Sequence, residues 1–86
     1  MNICGVLVHA VPARAVSVVD ELKSLAGVEV HQTGSGGRIV LTVEDTDEQP
    51  AIDTLRDIHR LDGIVAASLI YHHFEPAHAA AEQNAL

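Results

Sequence analysis

The stretch LKSLAGVEV at residues 22–30 decides the fold, because a helix ends within it and a strand begins. Gly27 is placed like the glycine that commonly terminates a helix, and β-branched residues follow it. We therefore predict a helix from Pro12 up to Gly27 and a strand over residues 28–33. The apolar residues of the helix recur at spacings of three and four, as on one amphipathic face: Ala15, Val19, Leu22 and Leu25 or Ala26.

The same arrangement recurs 36 residues later, at IHRLDGIVA, residues 58–66. A shift of 36 residues places Gly27 on Gly63 and Val28 on Ile64, and it places Ile3 on Ile39. Coincidence among common aliphatic residues is the alternative, and seven matches at structurally equivalent points argue against it. The chain is therefore predicted to contain two β-α-β halves. The helix positions also match: Val16 with Ile52, Val19 with Leu55, Leu22 with Ile58, and Leu25 with Leu61. The predicted apolar face of the second helix consists of Ile52, Leu55, Ile58 and Leu61, and Gly63 ends this helix.

Two such halves close most compactly as an α+β, ferredoxin-like βαββαβ sandwich. We predict a four-stranded antiparallel sheet in the order 4-1-3-2 with both helices on one face. Asp47 is the predicted N-cap of the second helix, because it leaves Pro50 in the first turn. Residues 1–75 form the single predicted domain, and residues 76–86 a flexible C-terminal tail. The remaining predicted elements are strands at 3–10, 38–44 and 64–74 and a hairpin loop at 34–37.

One face of this sheet is bare of helices, and alternation predicts which side chains occupy it. The aliphatic residues predicted there form an exposed apolar patch, which usually marks a contact surface. Binding of a partner and self-association with a second copy remain equal alternatives, and coverage of the patch by the C-terminal tail is another. The residues predicted to point inward on the fourth strand are Val65, Ala67, Leu69 and Tyr71. This assignment conflicts with the match of Ile3 with Ile39, which requires both to face the same side, so the opposite orientation of strands one and four remains an alternative. The predicted outward residues of strands one, three and four are Ile3, Gly5, Leu7 and His9, then Arg38, Val40, Thr42 and Glu44, then Ala66, Ser68, Ile70 and His72.

Composition restricts the class of partner and the compartment. The formal charge of −7 makes nucleic acid a poor partner, because that affinity comes largely from cations that neutralise phosphates. No apolar stretch approaches the roughly 20 residues that span a bilayer, so we expect no membrane insertion. The N-terminus lacks the basic segment of a secretory signal, and the single Cys4 excludes an intrachain disulfide. We therefore predict a cytoplasmic protein.

The residues that carry chemistry form no active site in the predicted fold, so we predict that the protein is not an enzyme. Cys4 lies inside an apolar strand, where burial makes a thiol inert. A metal site at His9, His72 and Cys4 is an alternative, but a solvated histidine accounts for such loose spacing better. An 86-residue chain also leaves little room for an enclosed cofactor cavity, so no cofactor is predicted.

Several segments together resemble the NapD family: ICGVLVH at residues 3–9, LAGVEVH at 25–31, GRIV at 37–40, and above all GIVAASLIYHHFE at 63–75. The resemblance covers about residues 2–75. It implies a ferredoxin-like chaperone for maturation of the periplasmic nitrate reductase. Members of the family bind the twin-arginine signal peptide of the catalytic subunit, NapA, as a helix on the sheet. Binding delays export of the precursor until its molybdenum cofactor has been inserted.

The resemblance also implies candidate signal-peptide-binding residues. Glu29 and Glu44 are the candidates to receive the two arginines. A metabolite-binding regulatory domain that dimerises, and a metal carrier, are the competing hypotheses. The candidates for contact by strand position are Leu7, His9, Val40, Thr42, Ser68, Ile70 and His72.

Overall fold

The structure is a computed structural model that describes residues 2–74, and the predicted tail at 76–86 lies outside these residues. Short 3₁₀ turns lie at Pro12–Arg14 and Ser35–Gly37. Pro12 occupies the first position of its turn, where a proline has no N–H to leave unsatisfied. The main elements, in chain order, are β1 (Asn2–Ala10), α1 (Ala15–Lys23), β2 (Val28–Gly34), β3 (Arg38–Glu44), α2 (Ala51–His59) and β4 (Ile64–Phe74).

The four strands form one antiparallel sheet in the order β2-β3-β1-β4, which confirms the predicted topology. The central pair β1 and β3 is in regular register, with Cys4 opposite Val43 and Val8 opposite Ile39. Because directly paired residues point to the same side of a sheet, this register fixes one helix-covered side and one open side.

The core lies between the helix-covered side of the sheet and the two helices. Its members come from β1, β3 and both helices, and burial of these side chains confirms the orientation predicted for strands one and three. Leu25, Val30 and Leu55 are among the partly buried residues that pack around it. The core residues are Cys4, Val6, Val8, Ala10, Val18, Leu22, Ile39, Leu41, Val43, Ala51 and Ile58.

The internal repeat is visible in the structure. Leu22 and Ile58 are both fully buried at equivalent points of α1 and α2. Gly27 and Gly63 both have positive φ, +81° and +90°, so each turn uses a conformation that glycine adopts without strain. The equivalence of Ile3 and Ile39 is wrong, however, since Ile39 belongs to the core whereas Ile3 pairs with Glu44 on the open side.

The predicted apolar face of the second helix is partly wrong. Ile52 is 65% exposed, and its equivalent Val16 is 80% exposed. The helix instead packs through Ala51, Thr54 and Ile58, which are buried. The hydroxyl of the buried Thr54 accepts a hydrogen bond from the side-chain amide of Gln49 at 2.7 Å, so a polar residue occupies this core position without an unsatisfied group.

The start of α2 also differs from the prediction of Asp47 as its N-cap. The helix begins at Ala51, and Pro50 occupies the capping position without a side-chain hydrogen bond. The carboxylate of Asp45 accepts the hydrogen bond from the Ala51 N–H at 2.7 Å. The intervening loop is closed by Thr46, whose hydroxyl accepts the N–H groups of Glu48 and Gln49.

A β-bulge in β4 overturns part of the predicted orientation of that strand. Gly5 pairs with Tyr71 and Val6 with Leu69, so Ile70 is an extra, unpaired residue. Beyond Ile70 the side chains exchange sides: Tyr71, predicted inward, lies on the open side, and His72, predicted outward, pairs with Cys4 on the helix side. A second irregularity near Ala10 leaves Val65, also predicted inward, 67% exposed.

Candidate functional site

The open face is the side of the sheet that neither of the helices in residues 2–74 covers, and strand register determines its members. Leu7 and Val40 are directly paired at its centre, and Ser68 lies beside Leu7 on β4. All helical core contacts are on the other side, so these aliphatic groups face outward. The open face comprises Ile3, Gly5, Leu7 and His9 on β1, Glu29 and Gln32 on β2, Arg38, Val40, Thr42 and Glu44 on β3, and Ala66, Ser68, Tyr71 and His73 on β4.

Charge is distributed unevenly along the open face. Glu29 pairs with Thr42, and Glu44 is two residues further along β3, so the two glutamates are diagonal neighbours at one end. Such neighbours lie about 7–8 Å apart. At the other end Arg38 pairs with His9. A peptide that carries positive charge at one end therefore has a preferred direction on this face.

Tyr71 lies directly over Gly5. A Cβ atom built on Gly5 would overlap the Cε1 atom of the Tyr71 ring, so only glycine leaves space for the ring at this position. Gly5 is buried although it lies on the open face, whereas the tyrosine is 50% exposed. The prediction placed Tyr71 on the wrong side, and a glycine within a β-branched strand was the available sign of this close approach.

His31 is a residue next to the open face that the prediction did not single out. It is the unpaired residue at an irregularity between Val30 and Gln32. Its Nε2 lies 2.9 Å from the Thr42 hydroxyl, and its Nδ1 lies 3.7 Å from the Glu29 carboxylate. The imidazole therefore links two of the predicted site residues.

Seven of the nine candidate residues lie together on the open face, although their role in binding stays a prediction. Ile70 is the exposed residue of the bulge, and His72 lies on the helix side. The seven are Leu7, His9, Glu29, Val40, Thr42, Glu44 and Ser68.

His72 instead lines an apolar groove of about 310 Å³ between α2 and the sheet, with Cys4, Leu55 and Leu69. Asn2 connects this histidine to Asp45: its amide nitrogen donates to the carboxylate at 3.0 Å. The amide oxygen of Asn2 therefore faces His72, whose Nε2 donates to it at 2.7 Å.

Cys4 is poorly suited to nucleophilic chemistry. It is 5% exposed, and burial raises the pKa of its thiol, with a further increase from the negative charge of Asp45. Within residues 2–74, no group of three or more His, Cys, Asp and Glu side chains is placed to hold a metal ion. None of the helices in this part of the chain is long and apolar enough to cross a membrane.

A four-stranded antiparallel sheet with both described helices on one face defines the class as a small α+β domain of the ferredoxin-like βαββαβ type. Residues 1–76 match the family described as "NapD protein". The chain belongs to the NapD family. This membership does not favour the alternative of a metabolite-binding regulatory domain.

The chain is similar to proteins named "Chaperone NapD" from Escherichia coli strain K12, Escherichia coli O157:H7 and Shigella flexneri. Each is 28% identical over 75 residues, which cover 86% of this chain and 86% of the relative. The solution structure of the E. coli Tat proofreading chaperone protein NapD has the same fold. That match has a TM-score of 0.74 at 28% identity and covers 87% of this chain and 80% of the other.

Proposed function

We propose that this protein is a chaperone for maturation of the periplasmic nitrate reductase. It binds the twin-arginine signal peptide of the catalytic-subunit precursor in the cytoplasm. Binding delays export until the cofactor has been inserted. Membership of the NapD family and the likeness to a Tat proofreading chaperone support this proposal, and the names of the relatives favour a chaperone over an enzyme.

The observation that carries the proposal is the uncovered apolar centre of the open face. Leu7 and Val40 lie there, and neither α1 nor α2 covers them. Ile3 extends this apolar surface toward the end that holds Glu44. A signal peptide has an apolar central segment of about 7–15 residues. An apolar helix laid on such a surface removes both apolar surfaces from water, at about 25 cal/mol for each Å² buried.

The charges at the two ends of the open face favour one orientation of the bound peptide. The n-region of a signal peptide is positively charged, so its arginines go to the end that holds Glu29 and Glu44. The apolar segment then extends over Leu7 and Val40 toward the end that holds Arg38. The net charge of −7 accelerates the encounter with a basic segment of this kind.

Calorimetry with synthetic signal peptide tests the proposal. The first peptide carries the twin arginines, and the second has both replaced by lysine, which keeps the charge but lacks the planar guanidinium. We expect saturable binding of the arginine peptide and weaker binding of the lysine peptide. Absence of binding of either peptide at tens of micromolar would overturn the proposed function.

A charge-reversal pair tests the location and direction of binding. Glu29→Lys with Glu44→Lys is compared with Asp20→Lys with Glu21→Lys, which changes the net charge equally but on exposed positions of α1. The open-face variant should lose affinity and salt dependence, chiefly through a slower association rate. Equal effects of the two variants would show that only total charge matters and would place the peptide elsewhere.

A further inference from the structure

The ring of Tyr71 lies over Gly5 on the open face. Its Cδ1, Cε1 and Cζ atoms are the ones a Cβ atom on Gly5 would overlap, so the absence of a side chain on Gly5 lets the ring approach β1 this closely. The tyrosine side chain remains 50% exposed. Part of the ring surface is therefore accessible on the side of the sheet where the signal peptide is proposed to lie.

A carboxylate lies on the other side of β1, diagonal to the glycine that the Tyr71 ring covers. Gly5 pairs with both Tyr71 and Thr42, and Glu44 is the diagonal neighbour of Gly5 on β3. Diagonal neighbours in a sheet are within reach of aromatic and long side chains. Glu44 is exposed, and its carboxylate has no hydrogen bond or ion pair with any residue in the range 2–74. Glu29, in contrast, already lies near His31.

We infer that the Tyr71 ring and the Glu44 carboxylate together form a subsite for one arginine guanidinium of the signal peptide, an inference that rests on the proposed function. The guanidinium stacks on the exposed surface of the Tyr71 ring and donates its paired N–H groups to Glu44. A planar cation satisfies both contacts at once, whereas a lysine ammonium makes only a point-charge contact. Tyr71 is thus a residue that determines specificity for arginine over lysine.

The other aromatic residue of the chain provides a matched control. Phe74 is also on β4 and is 58% exposed. It pairs with Asn2, which places it on the helix side of the sheet, away from Glu44. Replacement of Phe74 by leucine therefore removes a similar aromatic surface from the same strand without changing the proposed subsite.

The experiment compares the affinity ratio for the arginine and lysine peptides in three variants. Tyr71→Leu removes the ring and should reduce the preference for arginine by roughly two- to fivefold, the range for an exposed cation–π contact. Tyr71→Phe keeps the ring and should retain most of the preference, and Phe74→Leu should leave it unchanged. An unaltered ratio in Tyr71→Leu, with the arginine peptide still bound, would overturn the subsite but leave the proposed function intact.

A second measurement is independent of affinity. Tyr71 is the only tyrosine in the chain, which contains no tryptophan, so its fluorescence reports this position alone. With peptides that lack tyrosine and tryptophan, the arginine peptide should change the emission at saturation more than the lysine peptide does. The Glu44→Gln variant should reduce that difference. Identical emission with both saturating peptides would also overturn the subsite, whereas failure of the wild type to bind either peptide would overturn the proposed function itself.

Discussion

The carboxylate of Asp45 accepts two hydrogen bonds from Asn2, from the backbone N–H at 2.8 Å and from the side-chain amide at 3.0 Å. The backbone N–H of Asp45 donates to the Asn2 carbonyl oxygen at 3.1 Å, so the two residues bind each other in both directions. The same carboxylate also accepts the Ala51 N–H. One side chain thus joins the start of β1, the end of β3 and the start of α2.

We first predict an acid-dependent loss of stability that depends on Asp45. Hydrogen bonds from the backbone N–H groups of Ala51 and Asn2 lower the pKa of this carboxyl below its usual value of about 3.9. A lowered pKa in the folded state means that the contribution is complete above about pH 4 and is lost as the pH falls through the folded pKa. Asp45→Asn should therefore lower the urea midpoint at pH 7. The variant's urea midpoint should also decrease less than that of the wild type as the pH falls below 4.

Asp47→Asn is the matched control, because it removes the same charge two residues away. Asp47 is exposed and makes no hydrogen bond with any residue the structure describes. We expect its urea midpoint and acid profile to follow those of the wild type. Coincident profiles for the two variants would contradict the role of Asp45.

The second prediction concerns two isoleucines of α2. Ile58 is fully buried, so Ile58→Ala should lower the free energy of unfolding by about 2–5 kcal/mol. Ile52 is 65% exposed, so Ile52→Ala should change the free energy of unfolding by about 0.5 kcal/mol or less. Urea unfolding of both variants measures the difference, and similar losses would show that Ile52 is buried in solution.

The two isoleucines also illustrate how far the sequence determines the fold. Helical spacing and the glycines at 27 and 63 predicted both β-α-β halves and the strand order. These features could be identified from the sequence because the helical repeat and the glycine that ends a helix are set by local backbone geometry. Helical spacing alone did not show that Ile52 is exposed and that Thr54 is buried. A threonine scores as polar in a pattern, whereas its hydroxyl is satisfied in the core by Gln49.

The open face was less predictable on β4 than on β1 and β3. Alternation identifies the buried side only where apolar and polar residues contrast, and the segment VAASLIY at 65–71 contains almost no contrast. The bulge at Ile70 then exchanged the sides of Tyr71 and His72. On β3 the strict alternation of Ile39, Leu41 and Val43 with more polar residues made the prediction correct.

The third prediction uses the internal repeat to design a substitution. The residue 36 positions before Thr54 is Val18, which is buried at the equivalent point of α1. Thr54→Val should therefore fit sterically and cost about 1 kcal/mol, the net value of a typical hydrogen bond. The amide of Gln49 retains its second acceptor, the Asp57 carboxylate at 3.1 Å. Urea unfolding should show a further loss of about 1 kcal/mol for Thr54→Ala, which also leaves a cavity. Equal losses for valine and alanine would contradict the packing.

The last prediction separates backbone strain from steric overlap at the turn after α1. Gly27 and Gly36 both have positive φ, +81° and +74°, so alanine at either position costs about 1–2 kcal/mol of conformational strain. A Cβ atom on Gly36 meets nothing within 4 Å, whereas one on Gly27 would overlap the Glu44 carbonyl oxygen.

Gly27→Ala should therefore destabilise the protein to urea clearly more than Gly36→Ala does. Because the Gly27 carbonyl oxygen also accepts the Glu44 N–H at 3.0 Å, displacement of this turn moves the end of β3. The same variant should reduce the preference for the arginine peptide, since Glu44 belongs to the proposed subsite. Equal destabilisation by the two alanines, with an unchanged peptide preference, would show that Gly27 is required only for its φ angle.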